Sequence, residues 1–105
     1  MISEETRKIL EKAGVKYSDI WTFETMINEL LKDAEVCRLD DAITEFGGSN
    51  KLYRALKEYL DRGKRRGLIS IEEWDYAGSE LYRALETAER NLKKALRKCG
   101  CRVKT

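Results

Sequence analysis

The stretch SIEEWDYAGSELYRALETAERNLKKALRKC, residues 70–99, decides the fold. Its apolar and small residues are Ile71, Trp74, Gly78, Leu81, Leu85, Ala88, Leu92, Ala95 and Cys99, spaced alternately 3 and 4 apart. That spacing keeps one stripe on one side of an α-helix and matches a coiled-coil seam. Ser70 and Glu73 form a capping box, in which each side chain satisfies a backbone N–H of the other residue. Glu86 with Arg90, and Glu89 with Lys93, are i,i+4 pairs in the favourable order, about 0.3 kcal/mol each. The spacing predicts a helix over 70–98, about 42 Å long at the α-helical rise. In a chain of 105 residues, a helix this long should pack partly against a partner or a second copy.

Working outward, Ile20, Phe23, Ile27, Leu30, Ala34 and Cys37 repeat the same spacing and predict a helix over 19–37. Ser18 or Asp19 would cap it. A helix over 3–13 opens at Ser3 and ends at Gly14. Between the two long stripes, Asp40 reads as the cap of a short helix over 40–46, stopped by Gly47-Gly48. Ser49 or Asn50 then caps a helix over 50–62, with Leu52, Tyr53, Leu56, Tyr59 and Leu60 facing inward. The chain has no proline and only 7 glycines, so little breaks it into strands and turns. The expected fold is all-α: one domain over 1–105, four main helices and one short one, a compact bundle with a long C-terminal helix.

Composition narrows the function classes. There is no histidine, so general acid–base work and metal binding would fall to carboxylates, lysines and cysteines. The acids Asp40, Asp41, Glu72, Glu73 and Asp75 sit where helices start, where they favour the helix dipole. No phosphate-binding loop is present, since Gly47-Gly48 is followed by Ser49-Asn50 and no Lys-Ser/Thr pair. The expectation is a protein that is not an enzyme and has no cofactor, no metal and no small-molecule substrate. No apolar run reaches the roughly 18 residues of a membrane span, and the N-terminus is acidic, unlike a secretory signal. Those features predict a cytoplasmic protein with no membrane partner. The 38% of charged residues, with histidine and glutamine missing, suit a thermophilic source.

Three cysteines occur, at 37, 99 and 101. With no histidine they fall short of the four ligands of a structural zinc site. Cys37 and Cys99 each close a stripe at a helix C-terminus. In an up-down bundle those two helices run parallel, so a bridge from Cys37 to Cys99 or to Cys101 is sterically open.

Charge is unevenly spread: residues 1–50 carry a net −5 and residues 51–105 a net +7. From 51 to 66 seven bases face two acids. The stretch from Leu39 to Leu60 resembles a helix-turn-helix. Gly47 stands as the turn glycine, Ala42 and Phe46 as inward residues of the first helix, and Tyr53 and Leu56 as those of the second. The resemblance implies double-stranded DNA as partner, with Asn50, Lys51, Arg54 and Lys57 in the major groove. Arg62, Lys64, Arg65 and Arg66 would then touch flanking phosphates. The alternative is a helical-bundle protein–protein interaction or oligomerisation module without nucleic-acid binding. Both readings expect a homo-oligomer through the C-terminal helix.

Overall fold

The computed structural model describes residues 2–103. They form four helices: α1 (Glu4–Lys12), α2 (Tyr17–Glu35), α3 (Leu39–Arg65) and α4 (Ile71–Val103). The described residues contain no strand, and none of their helices is long and apolar enough to cross a membrane. The all-α class follows the apolar spacing. The bundle measures 55 × 21 × 19 Å.

Helices α2, α3 and α4 run up, down and up. They share a core of Phe23, Ile27 and Leu30 from α2, Leu56 and Leu60 from α3, and Leu81, Leu85 and Leu92 from α4. The α4 stripe is buried from Gly78 through Cys99, but Ile71 is exposed and Trp74 half-buried. Helix α1 lies across one end of the bundle. Its N-cap Ser3 accepts from Thr6 N, while Ser3 N donates to Glu80 at 2.6 Å. Arg7 pairs with Glu24 at 2.9 Å, and Lys12 with Glu73 at 2.5 Å. Ile2, Ile9, Leu10, Ala13 and Val15 close that end of the core.

Three helix ends share one device. Gly14, Cys37 and Gly67 have φ of 96°, 62° and 75°. In each case the next residue donates back five positions, as in Val15 to Leu10, Arg38 to Asp33 and Leu68 to Gly63. These are Schellman caps, which need a left-handed residue just past the helix. At the second of them a cysteine stands where glycine is usual.

Several predicted boundaries are corrected. The helices expected over 40–46 and 50–62 are one helix of 27 residues, so there is no separate short helix and no turn at Gly47-Gly48. Two forces carry the helix through. Ser49 is fully buried, and its hydroxyl donates to Glu45 O at 2.8 Å. Gly48 lets α2 approach closely, since a Cβ there would lie 2.8 Å from Met26 Sδ. Helix α2 starts at Tyr17 after Lys16, with no side-chain cap, and ends at Glu35, leaving Cys37 outside. Helix α4 runs past Cys99 to Val103. Its predicted capping box forms: Ser70 N donates to Glu73 at 2.9 Å, and Glu73 N to Ser70 Oγ at 3.0 Å.

Candidate functional site: the groove between α3 and α4

Antiparallel packing of α3 on α4 leaves an open groove of 460 Å³ on the outer side of the pair. Tyr53 and Lys57 line it from α3, and Trp74, Gly78, Tyr82 and Arg83 from α4. The two tyrosine rings lie tilted, 6.3 Å apart, a common aromatic pairing distance.

Trp74 is fixed by α3. Its Nε1–H donates to Asp61 Oδ1 at 2.7 Å. Lys57 Nζ stands 4.5 Å and Lys64 Nζ 3.6 Å from the ring centroid, both in cation–π range. Lys57 also reaches Asp61 at 3.2 Å. The indole N–H, with Lys57 behind it, holds the Asp61 carboxyl below the usual carboxylate range. Asp61 therefore stays ionised and orients the indole. Trp74 is thereby a rigid rim.

Gly78 sits beneath these rings. It is buried among its neighbours, yet a Cβ built on it meets nothing within 4 Å. The groove thus has aromatic walls, a bare floor and charged edges.

The residues expected to contact DNA fall into two groups. Lys51, Arg54, Arg62, Arg65 and Arg66 are exposed, while Asn50, Lys57 and Lys64 are half-buried. Lys57 and Lys64 are spent on Trp74, and Arg62 lies 5.0 Å from the Tyr59 ring. The inward residues Ala42, Phe46, Tyr53 and Leu56 do face the bundle, but from a single helix. Asn50 and Lys51 thus lie mid-helix, not at an exposed helix start. The hairpin geometry of a helix-turn-helix is absent.

Of the cysteine pairings considered, the structure makes Cys37–Cys99, with the Cα atoms 5.7 Å apart. The side chain of Cys101 lies outside the described residues.

Sequence reasoning missed one further cluster. Glu29, Asp33 and Glu45 bring carboxylate oxygens within 4.8 Å of one another, close enough to share a hard cation. Glu45 Oε1 is buried without a hydrogen-bond partner. Burial first, and the adjacent Asp33 carboxylate second, push its pKa up to about 7. Protonating Glu45 relieves the same repulsion that a cation would. The i,i+4 spacing of Glu29 and Asp33 was visible, but Glu45 joins them only through α2–α3 packing.

No family model, curated protein or solved structure matches the chain.

Proposed function

We propose that this chain is a protein–protein interaction module without chemistry of its own, and that the α3/α4 groove is its working face. Gly78 is the observation that carries this reading. Glycine inside a helix costs about 1 kcal/mol relative to alanine. Gly14 and Gly67 adopt positive φ, and a Cβ at Gly48 or Gly63 would crowd Met26 or Ala13. Gly47 and Gly78 have neither reason, but Gly47 is exposed whereas Gly78 is buried beneath the groove, and its missing side chain leaves the floor open. Tyrosine and tryptophan around an open slot are the residues that anchor protein interfaces.

A test uses the two tryptophans. In a Trp21→Phe background Trp74 is the sole reporter. An apolar dye such as ANS should bind at one equivalent and take up energy from Trp74. Adding Gly78→Leu should fill the slot and release the dye, while raising the thermal midpoint, because leucine is the better helix former. Dye that never binds, or that binds Gly78→Leu equally well, overturns the reading.

A second reading, binding of double-stranded DNA through its phosphates, is favoured by one observation. Lys51, Arg54, Arg62 and Arg65 share the outward, exposed face of α3. Anisotropy of a labelled mixed-sequence duplex at several salt concentrations tests it. Steep salt dependence that becomes shallower in Lys51→Ala/Arg54→Ala would support it. Absence of binding at low salt would remove it.

A further inference from the structure

We infer that the occupant of the α3/α4 groove is α4 of a second copy, laid antiparallel across a two-fold axis. This rests on the groove being the working face. Charge along α4 carries the argument. The helix begins acidic, at Glu72, Glu73 and Asp75, and has no acid after Glu89. A copy packed parallel and in register would set like charges against each other. An antiparallel copy, with the axis level with residues 84–85, places Asp75 opposite Lys94 and Arg83 opposite Glu86.

Two-fold symmetry makes each of these pairs occur twice. The same register sets Ser79 opposite Arg90, so like charges do not meet there. It also brings Leu96, which is 40% exposed, to the level of the other copy's Trp74. An apolar side chain thus arrives at the Trp74 rim of the groove, while Asn91 comes level with Gly78. Size suffices as well. In this register residues 71–98 of the two α4 helices overlap, about 42 Å at the helical rise, and a strip about 19 Å wide, α4 with the adjoining face of α3, reaches the ~800 Å² per partner of stable complexes.

Sedimentation or light scattering of the full chain tests the inference. The wild type should run at twice the chain mass of 12.2 kDa. Arg83→Glu and Glu86→Arg should each weaken the dimer at least tenfold, because each sets like charges against each other twice. Mixing the two variants should restore a dimer, since the new acid of one then faces the new base of the other. A wild type monomeric near 1 mM, singles that dimerise normally, or a mixture that stays monomeric would each overturn the inference. Dye binding separates the two claims. If the chain is monomeric but ANS still enters the groove and leaves on Gly78→Leu, the interaction face stands and its occupant is a different protein.

Discussion

Glu45 shows how packing changes a single side chain. Its carboxyl lies against Asp33 with one oxygen buried and unbonded, and its pKa rises from 4.5 to about 7. The folded state therefore holds a proton that the unfolded chain releases near its ordinary value. Stability that depends on this proton is fully present below that value and is lost as pH rises through the folded pKa. Thermal or urea unfolding should show stability falling from about pH 5 to about pH 8 by roughly 1 kcal/mol, since part of the carboxyl reaches water and the full shift is not realised. Glu45→Gln keeps a neutral group of the same shape and should flatten this dependence. An unchanged slope in Glu45→Gln would assign the pH effect to other groups.

At the scale of the element, α3 is where sequence and structure part. Leu39, Ala42, Phe46, Ser49, Tyr53, Leu56, Leu60 and Gly63 step alternately 3 and 4 without a break. The continuous stripe was present in the sequence, but its middle member is a serine and two glycines precede it. A glycine pair reads as a stop when only local propensity is weighed. Here tertiary packing against Met26 overrides it. Helix α4 was legible because its stripe from Leu81 to Cys99 consists of leucines, alanines and a cysteine. The groove was not, because Asp61 and Lys64 meet Trp74 only once α3 and α4 fold together. The continuous helix has a direct check. Gly47 is exposed, and a Cβ there meets nothing within 4 Å. Gly47→Ala should therefore raise stability by about 1 kcal/mol, whereas a left-handed turn at that position would make it destabilising. Gly63→Ala should do the opposite, because its Cβ would lie 3.0 Å from Ala13 Cβ and 3.4 Å from Ala13 Cα. A net loss of about 1 kcal/mol is expected, read as midpoints in urea.

For the whole molecule, the disulfide is the longest-range constraint. Cys37 and Cys99 are 62 residues apart in sequence, and closing a loop of that length removes unfolded-state entropy worth about 4 kcal/mol in the chain-entropy model. The bridge ties the acidic α2 to the basic end of α4 and anchors the end of the bundle far from α1. It also stabilises a strained residue, since Cys37 adopts φ 62°, a conformation costing a non-glycine residue about 1 kcal/mol. The two contributions can be separated. Cys37→Ser loses the bridge and keeps the strain. Cys37→Gly loses the bridge and relieves the strain, because glycine suits the left-handed cap. Both variants should melt below the oxidised wild type, by roughly 10–20 °C for Cys37→Ser in a domain of this size. Cys37→Gly should recover about 1 kcal/mol of that loss. Reductant should lower the wild type toward Cys37→Ser and leave both variants unmoved. If Cys37→Gly proves no more stable than Cys37→Ser, the left-handed cap is not a source of strain. If reductant leaves the wild type unmoved, the bridge does not hold the two helices in solution.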